Sequence, residues 1–389
     1  MNATVLDRVS VDDRSVEIHG ECPPEFKQVL GAFAANFRDR RELGASFCVY
    51  LGGKKVVDLW AGHRDPGFTT PWTEDTLVGM ASVVKGMLAM ALHMLADQGK
   101  ISYDAPVAQY WPEFAQSGKE HVTVRQAISH HAAVHFCDAA QPGDYFRWDR
   151  FVAAVAKQKP EWQPGTRGVY HTLTVIPILG HLIERVSGQR PWDYFREQIT
   201  NRLGVDYHFR MQAAELGRFS PDFETEAFLK DPPAPPDVWA RFFKPIGDVS
   251  KMAESLTPEE AANLPFTMAG GNARGVARLF AFAANEGVLN GVRIFSPRTI
   301  DLMTEVQWDA PCAVWGSPFK TALGVLLNNS FFYIGPNPKA FGTAGGGGSF
   351  GMADRDHGLS AGYSLNRWWP AMALGDRARS LIDATYASL

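Results

Sequence analysis

Apolar positions recur at three- and four-residue steps from Pro24 to Arg38. Phe26, Val29, Leu30, Phe33 and Phe37 share one face, which predicts a helix with Pro24 in its first turn. Two strand-type runs follow, Ser46–Leu51 and Lys55–Trp60, and the Gly52-Gly53 pair between them predicts a hairpin. From Ser82 to Gln98 the pattern turns helical, with Gly99 placed to stop it. Helical patterns dominate from about Thr76 to Pro297, as in Val122–Ile128, Phe151–Ala156, Leu173–Val186 and Asn272–Asn285. Loops rich in Pro and Gly separate them, and the proline cluster Asp231–Asp237 reads as a surface loop rather than a linker. A short helix over Arg298–Val306 then leads to strand-type runs at Thr321–Asn328, Ala340–Gly342, Ser349–Ala353 and Leu359–Leu365, and a helix over Ala371–Ala387 closes the chain. Both ends are therefore α/β in character and the middle is mostly α. The expected organisation is a discontinuous α/β domain (1–75 and 291–389) interrupted by a mostly helical one (76–290).

Composition narrows the class. The 389 residues suggest two or three domains by length alone, but the pattern replaces these with two lobes, one of them interrupted. Apolar residues make up 46% and charged residues 21%, as in soluble globular proteins. With 38 basic and 42 acidic residues and no basic run, the chain has no electrostatic footprint for nucleic acid or an anionic membrane. The four cysteines (Cys22, Cys48, Cys137, Cys312) form no C-x-x-C pair, so neither a zinc site nor a disulfide framework is legible. The first twenty residues are polar and acidic with no apolar h-region, and no 18-residue apolar stretch occurs. A cytoplasmic enzyme is expected.

The most informative string is Met80-Ala-Ser-Val-Val-Lys-Gly86. If Ser82 opens a helix, Lys85 lies one turn on along the same face, within reach of the hydroxyl. Serine is a weak nucleophile until a base takes its proton, and a lysine surrounded by Met80, Val83, Val84, Met87, Leu88 and Met90 can be desolvated enough to serve. The competing reading is an N-cap serine followed by a solvated lysine. A second S-x-x-K, Ser317–Lys320, falls in a Gly/Pro-rich turn without a long helix behind it. Tyr170, in Gln163-Pro-Gly-Thr-Arg-Gly-Val-Tyr170-His-Thr172, precedes a helix. Close to Lys85 it would be drawn toward phenolate and share the base role; otherwise it is a packed aromatic. The run Gly345–Gly348 leaves backbone N–H groups unshielded, as an oxyanion hole requires, and it lacks the G-K-[ST] ending of a phosphate loop. Gly347-Gly-Ser349-Phe-Gly351 matches a nucleophile elbow, yet the chain that follows is too short and too strand-like for that fold. His130, His131, His135 and Cys137 cluster without a firm third ligand, and read as packed or solvated histidines.

Taken together, Ser82-Val-Val-Lys85, Tyr170-His-Thr172 and the stretch Phe341–Asn366 make the chain similar to serine hydrolases of the β-lactamase-like superfamily, in particular class C β-lactamases and family VIII carboxylesterases. Segments such as Pro106–Pro112, Thr123–His130 and Gly291–Pro297 resemble family segments in the same order, over roughly residues 40 to 385. The resemblance implies an antiparallel sheet flanked by the N- and C-terminal helices, with a large helical insertion. It implies Ser82 as nucleophile, Lys85 and Tyr170 as coupled base and acid, and the N–H groups of Ser82 and Gly346 as oxyanion hole. Thr172, Thr343 and Gly345 would contact substrate. The K-T-G position reads Thr343-Ala344-Gly345 and Thr172 replaces the asparagine of Y-x-N, which disfavours β-lactams as the main substrate and leaves small carboxylic esters, with amide hydrolysis or weak β-lactamase activity by the same residues as the alternative. A non-catalytic binding module of the same fold is the rival of another class, and the intact Ser82 and Lys85 speak against it. No metal or cofactor is implied, the partner is a small-molecule ester or amide, and self-association stays open.

Overall fold

Ten antiparallel strands form the central sheet, and the two ends of the chain meet in its middle. The structure, a computed structural model, describes residues 4–11, 13–224, 235–247, 269–370 and 374–389. Across the sheet the strands run Val5–Val11, Arg14–Glu21, Lys54–Gly62, Gly44–Leu51, Leu359–Leu365, Phe350–Asp354, Phe341–Ala344, Leu326–Leu327, Pro318–Thr321 and Trp308–Pro311. The hairpin expected at Gly52-Gly53 forms, and both glycines hold positive φ, which a two-residue reversal between twisted strands demands. Leu359–Leu365 then pairs with Gly44–Leu51 along its whole length, joining early and late chain.

Period-two alternation sorts the side chains. Phe47, Val49, Leu359, Ala361 and Tyr363 face one side, where the helices Lys27–Asp39 and Gly375–Tyr386 pack with Phe33, Phe37 and Leu381. Cys48 and Tyr50 face the other. There Ser360, Gly362 and Ser364 are small because the helix Ala273–Ala284 lies almost on the sheet backbone. Ser360 Oγ donates to Ala277 O at 2.9 Å, and a Cβ on Gly362 would stand 2.3 Å from Ala273 O. That helix belongs by sequence to the helical segment, yet it covers the sheet.

Several boundaries differ from the pattern. Val5–Val11 and Arg14–Glu21 are strands where the sequence shows only a polar stretch. Val9, Val16 and Ile18 are their buried apolar side chains, and Arg8 reaches Glu17 across the pair at 2.8 Å. Thr321–Asn328 is not one strand: Gly324, at φ 77°, reverses the chain between Pro318–Thr321 and Leu326–Leu327. Ser317–Lys320 consequently enters a strand rather than a turn. The helix after Val122 starts at Val124, where a reciprocal capping box joins Thr123 and Gln126. Of the Asp231–Asp237 loop, 231–234 lie outside the described residues, and Pro236 already opens the helix Pro236–Phe243. Residues 371–373 of the last expected helix lie outside them too, and the helix runs Gly375–Tyr386.

The helix Val83–Asp97 is buried on every side from Val83 to Leu95 and packs against the helix Val175–Ser187 and the sheet strand Phe341–Ala344. A helix buried on every side belongs at the centre of a molecule, and this one places its N-terminus beside the sheet strand Phe341–Ala344. Among the described residues no helix is long and apolar enough to cross a membrane.

Candidate active site

Ser82 stands immediately before that central helix with backbone angles φ −70° and ψ −3°, already helical, and its side chain caps no N–H. An N-cap serine adopts extended angles and spends its oxygen on the helix; Ser82 does neither, so its hydroxyl is available. Ala81 before it holds φ 42°, a left-handed conformation that costs an alanine roughly 1 kcal/mol and presents Ser82 at a tight turn. One turn on, Lys85 Nζ donates to Ser82 Oγ at 2.7 Å. Lys85 is buried among Val84, Met87 and Leu88, not solvated, and that desolvation pulls its ammonium down to about 7.

Tyr170 completes the group: its hydroxyl hydrogen-bonds Ser82, and the Lys85 ammonium lies 5.0 Å from its ring centroid. The expected drift toward phenolate does not occur. Burial outweighs the favourable bond to Ser82 and pushes Tyr170 up to about 12, so the phenol keeps its proton while Lys85 readily gives one up. Tyr170 also precedes its helix by several residues, since the helix begins at Val175. What holds it is His130. The His130 ring lies 4.9 Å from that of Tyr170, its Nδ1 accepts the His171 N–H at 3.1 Å, and its carbonyl accepts the Val169 N–H at 3.2 Å. Desolvation, reinforced by His171 and Lys85, keeps His130 neutral, as its acceptor role requires. His131 Nδ1 contacts Ser129 Oγ at 2.9 Å and His135 packs 4.8 Å from Trp162, so these buried histidines are packed behind the site.

Ser82, Lys85, Tyr170, Thr172, Gly345 and Gly346 line one cavity of about 330 Å³. The glycines approach the turn Met80–Ser82 because nothing larger fits: a Cβ on Gly345 would sit 2.2 Å from Met80 O. Among the described residues, neither the Ser82 nor the Gly346 N–H donates to a backbone carbonyl in a turn, whereas Gly345 N–H donates to Ser349 O at 2.7 Å. Thr172 Oγ1 is buried without a hydrogen-bond partner. Thr343 departs from expectation. Strand alternation turns it away from the cavity and against Gly86, whose Cβ would meet Thr343 Cβ at 2.7 Å, and its hydroxyl points at Ser82 O from 3.4 Å. Ser349 is buried and does not line the cavity, and the chain after it is the strand Phe350–Asp354 where an elbow needs a helix. Ser317 and Lys320 do reach the cavity, but Lys320 pairs with Asp309 at 3.4 Å. Sequence reasoning missed the rest of the wall: Trp239, Phe243, Trp315 and Trp368, which make it largely apolar, and Asp222. No spacing marks Asp222, in the string Ser220-Pro-Asp222.

The sequence matches the family described as Beta-lactamase over residues 31–385, and the chain belongs to that family of esterase/β-lactamase-like serine hydrolases. It is 30% identical to the Esterase/beta-lactamase LipL of Mycobacterium tuberculosis, covering 95% of this chain and 90% of that protein. Against Esterase EstB of Burkholderia gladioli the identity is 25%, with both chains covered in full (100% each). The crystal structure of a family VIII carboxylesterase superposes with a TM-score of 0.85 at 37% identity, covering 96% of this chain and 100% of that one. The fold expected from the resemblance, an antiparallel sheet flanked by terminal helices with a helical insertion, is therefore the fold of its structural relatives.

Proposed function

We propose that this protein is a carboxylesterase that cleaves small esters through an acyl-enzyme on Ser82. The observation that carries the reading is the 2.7 Å contact from Lys85 Nζ to Ser82 Oγ in a cavity wall that also places the Tyr170 hydroxyl on the same oxygen. Neutral Lys85 takes the Ser82 proton as Oγ attacks the ester carbonyl. The N–H groups of Ser82 and Gly346 receive the developing oxyanion, and Tyr170 gives its proton to the departing alkoxide. Tyr170 is reprotonated from Lys85, which returns the pair to its starting state. Water then attacks the acyl-enzyme by the same route in reverse, releasing acid and free Ser82. The largely apolar walls and the absence of a cation at position 343 favour an uncharged carbonyl centre over an anionic β-lactam. Relatives named as esterases or carboxylesterases support the same choice. The four unpaired cysteines support placing the enzyme in the cytoplasm.

Ser82→Ala should lower p-nitrophenyl butyrate hydrolysis by roughly 10⁴–10⁶-fold with an unchanged melting temperature. An organophosphonate should label the peptide that carries Ser82 and no other. Activity within tenfold of wild type in Ser82→Ala, or label on another serine, would overturn the reading. Side-by-side kcat/KM on matched ester, anilide and nitrocefin substrates should rank the ester first.

A further inference from the structure

Asp222 is the one carboxyl group among the described residues lining the cavity, and nothing in the reaction above uses it. It packs against the nucleophile turn: a Cβ on Gly79 would stand 2.8 Å from Asp222 Oδ2. Among the described residues its Oδ1 is buried and has no hydrogen-bond partner, and a side-chain hydrogen bond joins the carboxyl to Trp368. A buried carboxyl with no counter-ion is costly, and proteins pair such groups as a rule. Arg367, bridged to the neighbouring Phe223, pairs with Glu224 at 3.2 Å. The other charged groups in the wall leave it equally alone, because Lys85 is held near neutrality and Lys320 pairs with Asp309. The indole of Trp368 borders the same cavity, its ring braced on Gly347. A carboxylate beside an aromatic face is the pairing that binds alkylammonium groups, through Coulomb and cation–π attraction together.

We propose that Asp222 and Trp368 form a subsite for an alkylammonium group carried on the acyl portion of the ester. This rests on the reading of Ser82 as the acylated group. The leaving oxygen must face Tyr170, whose wall is built by Trp315 and Phe319, which leaves the Gly79–Trp368 wall to the acyl chain. Gly79 precedes Ser82 by three residues, a span of at most about 10 Å, so a spacer of three or four carbons bridges the ester carbonyl and the cation. Desolvation holds the empty carboxyl up to about 7, and an arriving cation returns it to carboxylate.

The test compares p-nitrophenyl 4-(trimethylammonio)butyrate with its uncharged carbon isostere, p-nitrophenyl 5,5-dimethylhexanoate. Wild type should prefer the cationic ester in kcat/KM by about tenfold or more, and Asp222→Asn should abolish that preference. Trp368→Leu should reduce it by about threefold. A wild-type ratio at or below one overturns the proposal whatever the variants do. So does an Asp222→Asn enzyme in which both esters fall by the same factor, since that marks a structural carboxyl. Ser82→Ala assayed on p-nitrophenyl butyrate reads the nucleophile separately, so the loss of one assignment does not disguise the loss of the other.

Discussion

Beneath the outer face of the sheet, Glu42 is buried with Arg377 at 3.3 Å and the Tyr363 hydroxyl on its carboxylate. Arg377 spends its remaining donors on the carbonyls of Arg40, Arg41 and Arg367. Around the cavity, by contrast, Lys85 has a single hydroxyl partner, Asp222 leaves one oxygen unbonded, and Thr172 Oγ1 bonds nothing. Both regions bury ionisable groups, and they differ in saturation. Where every donor and acceptor is matched, the charges tie the loop before Gly44 to the C-terminal helix. Where partners are withheld, desolvation brings a lysine near 7 and leaves groups ready for a ligand. A third buried cation, Lys119, is also drawn down by desolvation, to about 8, but its Nζ donates to the carbonyls of Gln116, Ala156 and Gln158 and so pins loops together.

The contrast breaks first at Lys85. Lys85→Met should cut kcat/KM on p-nitrophenyl butyrate by about 10³-fold while leaving the folded state intact. With Lys85 as the proposed base, the active form is the neutral amine, so kcat/KM should rise about tenfold per pH unit below about 7 and level off above it. Titration monitored by initial rates checks this, and a flat profile would remove Lys85 as the base. Next in size is the saturated pair. Arg377→Met should cost about 3–5 kcal/mol in urea unfolding because it strands Glu42, and the double variant with Glu42→Gln should recover most of it. Specific activity of the folded fraction should change little, in contrast to Lys85→Met. Smallest is Thr343→Val, which loses only the long contact to Ser82 O. It should alter stability by about 0.5 kcal/mol and KM by less than roughly twofold. A tenfold rise in KM would return Thr343 to the substrate wall.

Much of this was readable in the chain. The helix at Val83–Asp97 is apolar on most of its periphery, interrupted by Lys85 and His93, and S-x-x-K spacing on any helix puts serine and lysine one turn apart. The hairpin at Gly52-Gly53 and the strand Leu359–Leu365 fall where the pattern puts them. The N-terminal strands stayed hidden because one face meets solvent and cross-strand ion pairs such as Arg8–Glu17 replace apolar residues there. Thr343 was misplaced because a one-residue difference in strand facing moves a side chain from one side of the sheet to the other. Tyr170 was found, but with the wrong proton: a nearby cation argues for phenolate, and only burial, a property of the packed molecule, reverses that.

By itself the sequence determined the order of the motifs, the serine–lysine spacing and the alternation that builds the sheet, since these are local and repeat along the chain. The tertiary structure decided which buried groups find partners. Burial and hydrogen bonding join residues far apart in sequence, such as Lys85 with Tyr170, or Asp222 with Gly79 and Trp368. No local spacing records whether a polar atom, once removed from water, will be met by another.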